Sequence, residues 1–187
     1  IYRAQDALNL TAEVRMSGNS HGAAPVGNIA ERGSAPSRAV VVLDLEGDIE
    51  VALQVFLQRA DGGEVQLTSA GEVVVEADLG GVQEPTVATL VVPAGLYSGL
   101  RVVFGEVVAD VAGGLIIDGI PYLGPATVDI ASAGLVVTRT LGIEVMEDER
   151  TVLLLDLNAD EWLPTLELLT YAVEAQVFAD QVAISVR

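Results

Sequence analysis

The chain has 187 residues, enough for one domain with a core of useful size, and its 27 carboxylates outweigh nine basic residues for a formal charge of −18. That balance excludes nucleic acid as a partner and disfavours an anionic membrane surface, because a polyanion would be repelled. With no cysteine, one histidine and no lysine, the chain has no thiolate, disulfide or cysteine-ligated metal, and its 51% of hydrophobic residues are mostly Val, Ala, Leu and Ile in short bursts.

A chain that begins at Ile1 rather than Met fits a mature exported protein after removal of a leader peptide, so an extracellular or cell-surface location is expected. Apolar runs such as Val152–Leu155 have strand length and fall far short of the ~18 residues of a membrane span. Within residues 1–16, Leu8, Leu10, Ala12, Val14 and Met16 share one face, with Asn9, Thr11, Glu13 and Arg15 on the other. That period of two predicts a strand with one buried side, carried on an N-terminal arm. Residues 17–38 are rich in Gly, Ser, Ala, Pro and Asn and read as a linker or long loop. As a flexible coil they would span roughly 25 Å, and drawn out about 70 Å.

From residue 39 onward, strands follow one another. Val40–Leu43 precedes an Asp-Leu-Glu-Gly-Asp break, and Ile49–Arg59 places Val51, Leu53, Val55 and Leu57 on one face. Asp61-Gly62-Gly63 signals a hairpin, because both glycines accept positive φ. Glu64–Thr68, Glu72–Leu79 and Val87–Val92 follow, then a Pro93-Ala94-Gly95 turn and the longest expected strand, Tyr97–Ala109. Gly113-Gly114 and Asp118-Gly119 are turn signals around Leu115–Ile117. Thr127–Ile130, Leu135–Val145, Arg150–Leu157 and Ala172–Arg187 complete the strand set. Between the last two, residues 161–170 are expected to form one short helix, with Trp162, Leu166 and Leu169 at helical spacing and Pro164 in the first turn. Strands at this spacing predict an all-β fold, a Greek-key β-sandwich over residues 39–187.

The segment Thr89–Val107 (TLVVPAGLYSGLRVVFGEV), the short LIIDG strand at Leu115–Gly119 and Thr151–Asp160 (TVLLLDLNAD) together resemble a family of exported bacterial and archaeal domains, domain of unknown function 4382. The resemblance covers roughly residues 39–161 and implies a secreted sandwich of Ig-like or transthyretin-like type with no established enzymatic role. The chain departs from that pattern in lacking a lipoprotein cysteine and in continuing about 25 residues past the match. Independently of the resemblance, Pro93 presets φ for its turn, and Tyr97 can bury its ring while its hydroxyl reaches a backbone group at the sandwich corner.

Chemistry-bearing groups are few. His21 lies in the Gly/Ser segment with no orienting partner in view, so no catalytic residue is assigned and no enzymatic activity is expected. Asp156, Asn158, Asp160 and Glu161, followed by Glu167, show calcium-loop spacing, although Glu161 stands where such a loop has its turn glycine. The same alternation arises on a strand with one solvated face. No cofactor is expected, with calcium as the one candidate. Asp44, Glu46, Asp48 and Glu50 form a second acidic row, whose repulsion a divalent cation or simply water and salt would relieve. Carbohydrate is the alternative partner. Tyr2, Tyr122, Trp162 and Tyr171 could stack on a sugar, with Trp162 the foremost, but aromatics make up only 4% of the chain. The leading expectation is a non-enzymatic extracellular subunit that binds other copies of itself. The face carrying Leu8, Leu10, Ala12, Val14 and Met16 would be donated to a neighbour, building a filament or surface layer by donor-strand complementation.

Overall fold

The computed structural model describes residues 11–18, 40–69, 71–130, 132–146 and 150–187. They form strands β1 (Thr11–Ser17), β2 (Val40–Arg59), β3 (Glu64–Gln66), β4 (Val73–Asp78), β5 (Thr86–Val91) and β6 (Gly95–Ile117). The second half adds β7 (Ile120–Pro121), β8 (Ala126–Ile130), β9 (Leu135–Val145), β10 (Arg150–Asp156), β11 (Ala172–Val173) and β12 (Ala183–Val186). Two short helices, α1 (Ala159–Trp162) and α2 (Ala175–Gln181), are the exceptions to an all-β, sandwich-like arrangement of two sheets. No helix among the described residues is long and apolar enough to cross a membrane.

The larger sheet is built on β2 and β6, which pair antiparallel along most of their length, from Val40↔Ile117 to Arg59↔Tyr97. β3 and β4 flank β2, while β7, β8 and β9 flank β6. Ile49, Val51, Leu53, Val55 and Leu57 are fully buried, as their alternation predicts. The smaller sheet has the order β12-β10-β1-β5. Its inward residues join those of the larger sheet in one core, together with Trp162 and Phe178.

Several elements differ from the sequence expectation. The Asp-Leu-Glu-Gly-Asp break does not end a strand. β2 runs through it with register shifts between Val42 and Gly47, and Asp44 and Gly47 take positive φ. Gly113-Gly114, expected as a turn, lies opposite that irregularity inside β6, with Gly113 paired to Glu46. The two breaks therefore bend a pair of long strands together. The Asp61-Gly62-Gly63 hairpin and the Asp118-Gly119 turn form where expected, the latter joining β6 to β7.

The expected helix at 161–170 starts earlier and ends sooner. α1 gives way to a 3-10 turn at Leu163–Thr165, and Leu166 is already extended. Pro164 has no N–H to continue the α-helical ladder, which accounts for the change. Leu169 is 90% exposed and belongs to no buried helical face. The expected strand Ala172–Arg187 is instead β11, α2 and β12, with Phe178 of α2 stacked edge-on against both Phe104 and Trp162.

Candidate functional site

β1 is the part of the expected arm that lies within the described residues, and it is no appendage. It is an interior strand of the smaller sheet, running parallel to β10 and antiparallel to β5. Ala12, Val14 and Met16 point into the core at 0–1% exposure, on the face their alternation predicts. Leu8 and Leu10 lie outside the described residues. In the single chain the strand fills its own groove.

The register on each side is definite. Against β10 it runs from Thr11↔Arg150 to Ser17↔Asp156, and against β5 it includes Ala12↔Leu90 and Val14↔Ala88. Main-chain bonding continues past the strand ends: the Leu157 N–H donates to the Ser17 carbonyl at 2.9 Å, and the Met16 N–H to that of Pro85 at 3.1 Å. Both walls of the groove thus come from segments far away in sequence. Ser17, expected to open the linker, is a buried strand residue.

The outer face of β1 carries Glu13, Arg15 and Ser17. Glu13 is buried despite facing away from the core. Its Oε1 accepts from Arg15 Nε at 2.8 Å and from Thr86 Oγ1 of β5 at 3.2 Å. Its Oε2 forms an ion pair with Arg150 Nη2 of β10. One carboxylate therefore ties the strand to both of its neighbours. The sequence places Glu13 on a polar face, where a solvated role is the default, and nothing local signals its burial.

The calcium spacing is not realised as a loop. Asp156, Asn158 and Asp160 are buried, whereas Glu161 and Glu167 are exposed, and among the described residues no three acidic or histidine side chains are grouped to hold a metal. The solvated-strand reading fails as well, because all three alternate residues are inside. Asp156 Oδ1 accepts from the Asn158 N–H at 3.1 Å, and Asn158, with φ of 49°, donates through Nδ2 to the Gln181 carbonyl at 2.6 Å. These side chains shape the turn from β10 into α1 and hold it to the end of α2. Ser17 Oγ and Asn158 Oδ1 are buried without a hydrogen-bond partner among the described residues.

Trp162 cannot stack on a sugar. It is fully buried, with its indole N–H bonded to the Leu157 carbonyl at 2.8 Å. Tyr122 and Tyr171 are half-buried and come together, with hydroxyl oxygens 3.2 Å apart and ring centroids 6.5 Å apart. The hydrogen bond to Tyr171 raises the Tyr122 pKa above the usual phenol value. With Ile117, Ile120, Pro121 and Leu168 they line an open cleft of about 240 Å³. Tyr2 and His21 lie outside the described residues.

The acidic row is solvated: Asp44, Glu46, Asp48 and Glu50 are all exposed. Tyr97 behaves as expected, 3% exposed with its hydroxyl donating to the Pro93 carbonyl at 2.7 Å.

The fold thus defines an all-β protein of two facing sheets whose most distinctive constellation is a groove filled by its own first strand. Comparison of the chain with known protein families, curated proteins and solved structures finds no match.

Proposed function

We propose that the chain is a non-enzymatic structural subunit of an extracellular assembly, in which copies are joined by exchange of β1. The observation that carries this reading is the position of that strand. It is interior to its sheet, hydrogen-bonded on both sides to segments distant in sequence, and separated from β2 by residues 18–39, rich in Gly, Ser, Ala and Pro. Every contact that β1 makes in its own chain is available to β1 of another copy. The apolar gain, roughly 25 cal/mol per Å² removed from water, and the main-chain ladder are the same in both arrangements. What differs is the tether, which favours closure within the chain, and the concentration of copies, which favours exchange. Exchange that passes from copy to copy in one direction does not close on itself and builds a filament.

Because the chain has no cysteine, a crosslink reads the arrangement directly. Val14→Cys with Ala88→Cys introduces the only two thiols at opposed positions of β1 and β5, within reach of a disulfide. Oxidised at high protein concentration, the variant should run as a ladder of linked chains on a non-reducing gel, and negative-stain microscopy should show the polymer. Intrachain bridges alone at every concentration, with no polymer, would rule the reading out.

The second reading, a cell-surface binding module for carbohydrate, is favoured by one feature, the Tyr122–Tyr171 cleft with its apolar lining at Ile120 and Leu168. A glycan array separates the two, since assembly requires no saccharide affinity.

A further inference from the structure

Glu13 is 1% exposed, while the two guanidinium groups that meet it stay near the surface, Arg15 at 38% and Arg150 at 56%. A carboxylate in such a place is strongly disfavoured unless both of its oxygens are matched. Here Arg15 on the same strand and Thr86 on one wall of the groove donate to Oε1, while Oε2 has no hydrogen-bond partner among the described residues and is matched in charge alone, by the ion pair with Arg150 on the other wall.

A strand entering this groove can err in register only by even steps. A slip of one residue would turn Glu13 and Arg15 into the core, which parity forbids. A slip of two that carries Leu10, Ala12 and Val14 into the places of Ala12, Val14 and Met16 keeps an apolar residue at every inward position, whereas the opposite slip brings Gly18 to the place of the buried Met16 and is disfavoured by the inward face alone. The outward face rejects the first of these by charge. In that slip Thr11 takes the place of Glu13, Glu13 moves away to the position opposite Leu154, and Arg150 loses its counter-ion.

We infer that Glu13 selects the strand this groove admits and the register in which it sits, by reading Arg150 of β10 and Thr86 of β5 across both walls. The occupant the groove fits is β1 of the chain itself or of a second copy. The second-copy part rests on the assembly reading above; the register part does not.

The test inverts the charges in the full chain. An arm-inverted variant carries Glu13→Arg and Arg15→Glu, a groove-inverted variant carries Arg150→Glu, and a third carries all three changes. The Thr86 hydroxyl can accept as well as donate, so it tolerates either sign. Each of the first two should melt about 5 °C or more below the parent, and the triple variant should recover most of that loss. Mixing the first two should then yield a complex containing both chains, because each arm matches only the other's groove. If the triple variant melts no higher than its parts, the inference is overturned. If the triple variant recovers while the mixture stays unassociated, Glu13 selects within the chain and the exchange reading fails.

Where inversion prevents folding, Glu13→Gln and Arg150→Gln keep size and polarity. Losses that are fully additive in the pair overturn the coupling, whereas a double variant no worse than the worse single one supports it. Register itself is read by crosslinking Ala12→Cys to Ala88→Cys, a pair brought opposite only by the two-residue slip that takes Glu13 away from Arg150. That crosslink should rise when Glu13 and Arg15 are both changed to Gln, and an unchanged yield overturns the register role.

Discussion

The phenol of Tyr97, inside the molecule and bonded four residues back to the Pro93 carbonyl, closes the corner between β5 and β6. Burial raises its pKa above the usual value, with the Arg59 charge opposing and the Asp61 charge adding to the shift. A raised folded-state pKa means that the neutral phenol is favoured in the fold. Its contribution is complete below about pH 10, where the unfolded phenol begins to ionise, and is lost as pH rises through the folded value. Tyr97→Phe should therefore cost about 1 kcal/mol at pH 7, since Pro93 is exposed and water can replace the lost donor. In denaturant titrations the gap between parent and variant should narrow above about pH 10; a constant gap would mean that the hydroxyl is not the titrating group. Tyr97 was legible in the sequence because Pro-x-Gly-x-Tyr is a local turn pattern. Glu13 was not, because its burial depends on Arg150 and Thr86, which no spacing along the chain connects to it. Trp162 misled for the converse reason: an indole beside an acidic stretch reads as exposed until Phe178, on a helix the sequence did not show, is packed against it.

Elements were legible where a single strand carries its own alternation. β9 begins and ends where the pattern does, and β2 buries every second residue from Ile49 to Leu57. Glycine signals were read correctly as departures from regular backbone but not as to kind, because the same residues serve a turn or a bulge. Which one forms depends on the strand opposite. Gly114 (φ 89°) lies inside β6 against the β2 irregularity, where an added Cβ would come within 2.7 Å of the Leu43 carbonyl oxygen and the Leu45 Cα. Gly119 (φ 79°) sits in the β6–β7 hairpin with open space around it. Both positions disfavour an L side chain by conformation, but only the first also by contact. Gly119→Ala should cost about 1–2 kcal/mol and Gly114→Ala distinctly more, upward of about 3 kcal/mol. Equal losses in chemical denaturation would show that the bent strand pair yields at no cost. α2 escaped detection because seven residues are too few to establish a helical period against a background of alternating strands. The parallel pairing of β1 with β10 escaped for a different reason, since pairing across the whole chain leaves no local trace.

At the scale of the molecule the charge is distributed with consequence. Across β4, β2 and β6, Asp78, Asp48 and Asp110 stand in one row and Glu76 opposes Glu50 in the next, so like charges sit directly opposite one another on the outer face of the larger sheet. Each such pair is unfavourable by roughly 0.2–1 kcal/mol, and the net charge of −18 makes copies repel at long range. Screening relieves both effects, because the Debye length falls from about 30 Å at 0.01 M salt to about 3 Å at 1 M. The Glu13 ion pairs are partly sheltered from solvent and lose less than the exposed row gains. Melting temperature should therefore rise with sodium chloride, by about 5 °C or more over that range, and a flat or falling profile would show that the carboxylate rows are not a net cost. Calcium chloride at matched ionic strength separates screening from binding. An equal rise leaves the exposed row and the Asp156–Asp160 turn as solvated or structural carboxylates, whereas an extra rise, abolished by a chelator, places an ion on one of them. Exchange of β1 between copies requires two such anions to meet, so its onset should move to lower protein concentration as salt increases. A light-scattering series in protein and salt reads that onset, and an onset that moves the other way would mean that assembly is held together by charge rather than by the apolar face of the first strand.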